Sequence, residues 1–517
     1  MRDTYAEAVI QAGGLPTWVL ELSSPDGRRF LFSTAAIAIT SRSTLEATPR
    51  QAIPMLSGIE EFVEELDLFT LDGVGALTQV RLALAWHESL AALQSDWMHF
   101  SASTAELSLL WDGQDWEDRF VLLASGTLQG IQFGVAGEAT SIVVEATPPR
   151  LSATVGDDTQ DLGTDFAGGL DDQGDPMSDL TGRKYQRIYG ASLSVPGYKV
   201  GAFAGDNRLV LAGHPFVDLT AVEVFEDGES VGTLVPINHD NGYCYVEHAT
   251  RFRSTSGAYT YSPTSGGIAA SDGMDRPALG ADGVLRKLLS ESDLVVDWER
   301  MEPTFQLLRE WRIGFYLDKE ATAISVIRDK IVGTVPIVEM NSGRGIWFAF
   351  SAPWSAPIEA ELILGQGLLG RVGQMGISDL EAIENEITIS HTFEAFSTAY
   401  TGTETRGPDD STLCYLSQQL YGVRAAEPVE SKSIHDATTA QRWANHRINS
   451  NGLPRRQVAY LASRDLYWLR AGMVVAVTDS ELGIDRHRAV LRAVSRAQDP
   501  FQFSLDLIDR TPVSRLQ

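Results

Sequence analysis

Histidine is the side chain most often used for acid–base and metal chemistry, and the chain has nine of them with no cluster at metal-ligand spacing. They are His87, His99, His214, His239, His248, His391, His435, His446 and His487. Glu88 follows His87, but no second histidine follows at the spacing of a zinc-protease helix. His239-Asp240 and His435-Asp436 could orient an imidazole for catalysis or metal binding, although structural roles are favoured. Nucleophile-elbow and phosphate-loop motifs are absent from the sequence, so we predict no catalytic residue, metal site or cofactor.

Two acidic clusters could also carry chemistry. Glu60, Glu61, Glu64 and Glu65 lie together, and such a run is typical of a solvated face. The second cluster, Asp171, Asp172, Asp175 and Asp179, offers oxygen ligands for calcium, but its spacing does not fit an EF-hand. A carboxylate pair for glycan hydrolysis stays open, because an acidic protein offers many such pairs.

The cysteines and tryptophans favour packing over chemistry. Cys244 and Cys414 lie in strand-like runs and are predicted to be buried free thiols. Four tryptophans in the N-terminal segment could form a sugar-binding platform, although a core or subunit interface is favoured. They are Trp86, Trp97, Trp111 and Trp116.

Length and composition limit the classes of protein. The 517 residues predict three or four domains, and 44% hydrophobic with 21% charged residues is an ordinary globular composition. The formal net charge of −28 argues against binding to nucleic acid or anionic membranes by charge attraction. The first residues have no signal-peptide pattern, and the uncharged run 120–137 contains glycines at 126, 130 and 134 that favour strands over a membrane span.

Alternating strands interrupted by Gly, Asp and Pro dominate the chain. In the N-terminal segment, strand patterns cover residues 105–111, 119–123 and 141–145, before Pro148-Pro149 closes the segment. A hairpin follows around Asp227-Gly228. Near the C-terminus, Phe501, Phe503, Leu505 and Leu507 alternate with polar residues, and we expect these four to face a barrel interior.

Helical periodicity is confined to two regions. Asp282 is predicted to cap a first helix, Pro303 to lie in the first turn of a second, and a third is expected to stop at Gly333. A fourth is predicted near 436–449. The division that results is a β domain over 1–150, an acidic loop or linker over 151–180, a small all-β module over 181–280, an α+β module over 281–354, and a second β domain over 355–517.

The order of these segments, with several local stretches, resembles the tail-tip or baseplate hub proteins of tailed bacteriophages and gene-transfer particles. The stretches are residues 183–190 with 194–198, 334–337 and 469–475. The resemblance implies a mainly β, multidomain fold in which the N- and C-terminal domains are β-barrel-like and line a tube. A faint repeat between these two domains (a strand, an acidic turn, Asp-Arg and a further strand in each) fits that scheme.

The resemblance further implies a structural protein of the virion tail tip, made in the host cytoplasm, with no enzymatic activity. Three copies would form a ring with quasi-sixfold symmetry that continues the DNA channel. Its partners would be a distal tail ring, a tape-measure protein and a fibre or tip protein, and DNA would pass without specific binding. The alternative is a phage-borne or cell-surface β-rich protein that binds or hydrolyses glycans.

A channel that passes DNA is expected to be acidic or neutral where the duplex slides, because Lys and Arg surfaces bind phosphates. Acidity that serves only solubility explains the charge equally well. If the two terminal domains line the channel, acids in their loops and strand ends are the candidates to face it. They are Asp112, Asp115, Glu117, Asp506 and Asp509.

Overall fold

The computed structural model confirms the fold class predicted from the sequence: the chain is mainly β and multidomain, with a closed six-stranded β-barrel and a half-barrel. It describes residues 16–25, 27–39, 50–65, 76–77, 80–85, 103–132, 140–145, 154–155, 186–190, 192, 195–200, 208–216, 221–239, 243–248, 259–262, 280–292, 294–341, 345–394, 397–496 and 501–508. No helix in these ranges is long and apolar enough to cross a membrane.

The N-terminal strands form a seven-stranded antiparallel sheet in the order β2-β1-β9-β10-β11-β8-β5. The strands of this region are β1 (Thr17–Ser23), β2 (Arg29–Ser33), β3 (Ile37–Ile39), β4 (Arg50–Ala52), β5 (Leu56–Glu61), β6 (Val63–Glu65), β7 (Ala76–Leu77), β8 (Val80–Leu84), β9 (Thr104–Leu110), β10 (Phe120–Gln132), β11 (Thr140–Glu145) and β12 (Thr154–Val155). The predicted strands at 105–111, 119–123 and 141–145 correspond to β9, β10 and β11. A short 3-10 turn, Trp116–Asp118, joins β9 to β10.

The C-terminal strands close into a barrel. Its strands are β25 (Ala360–Leu364), β26 (Gly367–Ile377), β30 (Arg456–Ala462), β31 (Val474–Asp479), β32 (Ile484–Ser495) and β33 (Phe501–Leu507). The order is β31-β25-β26-β30-β33-β32, and β32 pairs back to β31, which removes both edges. The prediction for the last strand is confirmed, since Phe501, Phe503, Leu505 and Leu507 are each at most 1% exposed.

The small β module is a second seven-stranded sheet in the order β17-β16-β20-β14-β15-β19-β18. The strands between the two terminal units are β13 (Arg187–Gly190), β14 (Val195–Val200), β15 (Arg208–Ala212), β16 (Val222–Glu226), β17 (Glu229–Leu234), β18 (Ile237–Asn238), β19 (Cys244–Glu247) and β20 (Tyr259–Ser262). The predicted hairpin joins β16 to β17, and both of its turn residues, Asp227 and Gly228, have positive φ (51° and 85°).

The helices gather in the α+β module. They are α1 (Ala281–Glu291), α2 (Trp298–Leu308), α3 (Ala323–Lys330), α4 (Thr412–Tyr421) and α5 (Ala437–Asn451), with 3-10 turns at Leu380–Ala382 and Arg464–Leu466. The strands of this region are β21 (Gly314–Leu317), β22 (Ala321–Thr322), β23 (Ile337–Asn341), β24 (Ile346–Phe350), β27 (Ile387–Glu394), β28 (Ala399–Arg406) and β29 (Val429–Glu430). Strand β13 joins this module by pairing with β21. One hydrophobic core joins α1, α2 and α3 to α4, α5 and β27, so residues 387–448 pack with the module that starts at 281.

Local details of the helices differ from the sequence predictions. The N-cap of α1 is Gly280, and Asp282 lies inside the first turn. Helix α2 begins five residues before Pro303, because Asp297 caps it by accepting a hydrogen bond from the Arg300 amide. Cys414 lies in α4 rather than in a strand, whereas Cys244 lies in β19, and both are buried free thiols as predicted.

Candidate functional site: the junction of the terminal β units

The N-terminal sheet and the C-terminal barrel share one continuous hydrophobic core. Leu107, Leu109 and Trp111 of the N-terminal unit belong to the same cluster of buried side chains as Tyr460 and Phe503 of the barrel. At the boundary, the rings of Trp18 and Tyr467 meet edge to face at 6.0 Å. Because the two units bury apolar surface against each other, their separation would expose it to water, and we infer that they behave as one body.

Backbone pairing reinforces this junction. Strand β6 leaves the N-terminal segment and pairs antiparallel with the end of β32, with Glu65 opposite Ala493 and Val63 opposite Ser495. The Arg496 amide then donates to the Phe62 carbonyl at 2.9 Å. The sheet of the C-terminal barrel therefore continues into residues from the first seventh of the chain.

A buried ion cluster lies where β6 meets the barrel. Glu64 pairs with both Arg470 and Arg496, and its second carboxylate oxygen is 3.2 Å from the Arg496 guanidinium. Arg470 also donates to the carbonyls of Val121 and Leu122 in β10, at 3.1 Å each. Arg470 therefore joins the barrel to the N-terminal sheet directly.

Burial dominates the electrostatics of this cluster. Burial lowers the pKa of Arg496 to about 10, and Glu64 opposes that effect. Burial alone would raise the pKa of Glu64, but Arg470 and Arg496 together hold it below its ordinary value. Arg496 also donates to the carbonyls of Tyr467 and Leu469, so its charge is compensated by hydrogen bonds as well as by the carboxylate.

The burial of Glu64 contradicts a prediction made from the sequence. The run of Glu60, Glu61, Glu64 and Glu65 was expected to form a solvated face, yet the Glu64 side chain is only 9% exposed. The physical reason is pairing: a carboxylate can be buried when two guanidinium groups surround it. Its partner Arg470 lies 406 residues away in sequence, so no local pattern could identify the pair.

Arginines on the outside of the barrel are also paired with acids. Arg371 pairs with Glu481 and lies 3.5 Å from the buried Asp479. The Asp479 carboxylate also accepts from the Tyr460 hydroxyl and from the amides of Glu481 and Leu482. Arg486 pairs with Glu361. Because each guanidinium is paired with a carboxylate, the surface around these two arginines has little net positive charge.

The predicted channel-facing acids have different environments. Asp112 is exposed in the turn after Trp111, Asp115 precedes the following 3-10 turn, and the exposed Glu117 lies within it. The expectation that Asp506 faces the channel is wrong. Asp506 is 2% exposed and has Arg455 at 4.0 Å, and a side chain buried within its own chain cannot line a channel. Asp509 lies outside the described residues.

The other candidates considered from the sequence have structural surroundings wherever the structure describes them. His435 contacts the Gly314 carbonyl at 2.9 Å, and Asp436 caps α5 by accepting from the Thr439 amide. His239 stacks on Tyr243 at 4.4 Å. Trp111 is fully buried, which fits the core interpretation.

Several candidates fall outside the described part of the chain. They are His87, Glu88, His99, Trp86, Trp97, Asp240 and the aspartates 171, 172, 175 and 179. Within the described ranges, no group of three or more His, Cys, Asp or Glu side chains is placed to hold a metal ion.

Comparison with known proteins finds no matching family model and no matching curated protein. Among solved structures, a tail protein from Neisseria meningitidis MC58 aligns over 95% of this chain and 96% of its own, at 11% identity and a TM-score of 0.40. The 43 kDa tail protein of prophage MuSo2 from Shewanella oneidensis aligns over 95% and 98%, at 9% identity and 0.34.

A chain of the native gene transfer agent virion aligns over 63% of this chain and 84% of its own, at 11% identity and a TM-score of 0.41. These solved structures come from the two kinds of particle, phage tails and gene-transfer particles, whose proteins the sequence resembles.

Proposed function

We propose that this chain is the structural hub of a phage tail tip or baseplate, in which three copies form a ring around the DNA path. The observation that carries the proposal is the junction of the terminal β units. A shared core, the β6–β32 pairing and the Glu64 ion cluster all join the same two units. A ring subunit needs such fixed geometry, because its contacts must repeat identically around the symmetry axis.

The pairing of two β units in each chain supports the proposed symmetry. Three copies present six β units, which suits a sixfold tail-tube ring on one side and a threefold fibre or tip on the other. The distal tail ring, tape-measure protein and fibre or tip protein are the proposed partners, and the tail tip is the proposed location. Their identities come from the sequence resemblance.

The charge arrangement suits passage of DNA without retention. Exposed arginines of the barrel, such as Arg371 and Arg486, lie against Glu481 and Glu361. A guanidinium already paired with a carboxylate has less attraction for a phosphate, so non-specific affinity for the duplex is reduced. The role proposed for the chain is therefore mechanical, to hold and guide.

The test is the oligomeric state of the purified chain. We expect concentration-dependent trimers by sedimentation velocity and threefold particles with a central hole in negative-stain images. The Glu64→Gln variant should lose trimers in parallel with its loss of folded structure, while Glu65→Gln should keep them. A protein that stays monomeric at tens of micromolar, or that cleaves cell-wall glycan, would contradict the proposal.

A further inference from the structure

The strand β28 has an open edge. It pairs antiparallel with β27 from Ile387 opposite Arg406 to Glu394 opposite Ala399, and β29 pairs with the other side of β27. In the described part of the chain, no strand pairs with the outer side of β28. The sheet therefore ends in eight residues of extended backbone at the surface.

The direction of the backbone groups on β28 follows from its neighbours. The Ser390 carbonyl accepts from the Ser431 amide at 2.9 Å, so the backbone of Ser390 points towards β29 and away from β28. Residues opposite each other in an antiparallel pair either both point inward or both point outward. Thr403 lies opposite Ser390, so its N–H and C=O point to the open edge, and by alternation those of Thr405 do the same.

This edge has little of the protection that natural sheets use, since its two charged residues, Glu404 and Arg406, are half-buried and already paired with Gln441 and Asp410. Edge strands are usually short, bulged, or protected by proline or inward lysine, because an open edge pairs with other strands. β28 has eight residues, no proline and no lysine, and its register with β27 is continuous. Thr401, Thr403 and Thr405 are exposed and have high β propensity. An edge with these properties is suited to strand addition.

We propose that the open edge of β28 binds an extended segment of a different polypeptide, which adds to the sheet as a further strand. The choice of a different polypeptide rests on the proposed function, because pairing of β28 with its own copy requires a twofold axis, which a threefold ring does not have.

The surface around the edge defines the chemistry of this segment. The outer face carries hydroxyl side chains on both strands, with Thr388 and Thr405 in contact at 3.1 Å. Small or β-branched side chains of an added strand pack well beside such a row. Glu394 of β27 lies opposite Ala399, the first residue of β28, and the exposed Asp409 lies just beyond the last residue of β28. An acidic segment is therefore disfavoured, and a neutral or basic one is expected.

The first experiment uses the isolated chain and a synthetic peptide of alternating threonine and valine with one lysine. Without peptide, hydrogen exchange should be fast at the amides of Thr403 and Thr405 and slow at those of Gly402 and Glu404. Saturating peptide should slow the two outward amides at least tenfold. Unchanged exchange at both amides would overturn the proposal.

Two variants at one position separate the backbone from the side chain. Thr403→Pro removes an outward N–H without removing a ladder hydrogen bond, so the melting temperature should change little while peptide binding falls at least tenfold. Thr403→Val keeps the N–H and should bind like the wild type. Equal binding by the two variants would contradict strand addition.

The second experiment compares purified trimers with assembled particles. Protection of Thr403 and Thr405 should appear in the particle and be absent from the trimer. Protection already in the trimer would show that the occupant is another copy of the chain and refute the proposed partner. Absence of the chain from particles would refute the proposed function, while the peptide experiment would still decide the property of the edge.

Discussion

The Arg496 side chain has no solvent exposure, and one of its guanidinium nitrogens lies 3.2 Å from the Glu64 carboxylate. The two residues belong to opposite ends of the chain, and Arg470 completes the cluster by reaching into the N-terminal sheet. A buried charge with its partner removed is among the most destabilising changes a protein can undergo. Removing the Glu64 carboxylate therefore measures how much the ion cluster stabilises the junction.

Glu64→Gln should lower the free energy of unfolding by about 3 to 5 kcal/mol, because it leaves two guanidinium groups without their carboxylate in a buried site. Denaturant titration would measure the change. Glu65→Gln is the matched control: this neighbour is 52% exposed and 3.5 Å from Arg492, so its loss should cost about 0 to 1 kcal/mol. Equal costs for the two variants would show that the cluster does not stabilise the junction.

Stability should fall as the pH drops below about 6.5. Burial lowers the pKa of His446 to about 3 and that of His214 to about 4. As the pH falls, the imidazoles of the unfolded chain take up protons at a higher pH than those of the folded protein. The stabilising effect of the neutral imidazoles is therefore complete above the ordinary histidine pKa and is lost as the pH falls towards the pKa values of the folded state. Chemical unfolding at a series of pH values would measure the slope.

His446→Leu should reduce that slope, since it removes one titrating group from a site lined by Trp311, Phe350 and Trp354. Ser450→Ala is the control, because Ser450 donates to the His446 carbonyl without titrating. It should shift stability by a similar amount at every pH. A slope unchanged in His446→Leu would show that this histidine does not contribute.

Phe503→Ala should cost about 3 to 5 kcal/mol, because the ring is 1% exposed inside the barrel and packs near Tyr460. Ser504→Ala, at the next position on the opposite face of the same strand, should be nearly silent. Thermal and denaturant unfolding of both variants would check the pair. Similar small effects would mean that the ring contributes little to the barrel core.

Lysine at the exposed loop acids should slow genome ejection if this loop faces the DNA path. Asp112→Lys replaces a negative by a positive charge in each chain, a change of +2 per chain at one height of a trimeric ring, and the effect should be larger at low salt, where screening is weak. Ejection kinetics across a salt series would measure it. Asp329→Lys, an exposed position on α3, is the control and should leave ejection unchanged. Identical kinetics in both variants would place Asp112 away from the duplex.

Patterns with short range in sequence were predicted well. The alternation of Phe501 to Leu507 and the Asp-Gly hairpin are encoded by neighbouring residues. Helix α5 was also predicted close to its limits, because Asp436 caps it and Gly452 ends it. These signals depend only on side-chain period and backbone preference.

Features created by distant residues were not predictable. Helix α4 was missed because Thr412 to Tyr421 contains β-branched and aromatic residues, yet Ser411 caps it by accepting from the Cys414 amide. The ionic junction was missed because Glu64 and Arg470 meet only after both β units have formed. The open edge of β28 could be recognised only from the sheet topology.

The pairing of β6 with β32 has a consequence for synthesis. About 430 residues separate these strands, so at 5 to 20 residues per second β6 waits roughly 20 to 90 seconds on the ribosome before its partner is made. During that interval β6 lacks its β32 partner and Glu64 lacks Arg470 and Arg496, so this part of the N-terminal unit can mature only in part. Contacts of such long range also slow folding after release. The nascent chain is therefore most prone to misassembly before its last strands are made. Chains that lack residues 484–507 should need chaperones more than complete chains do.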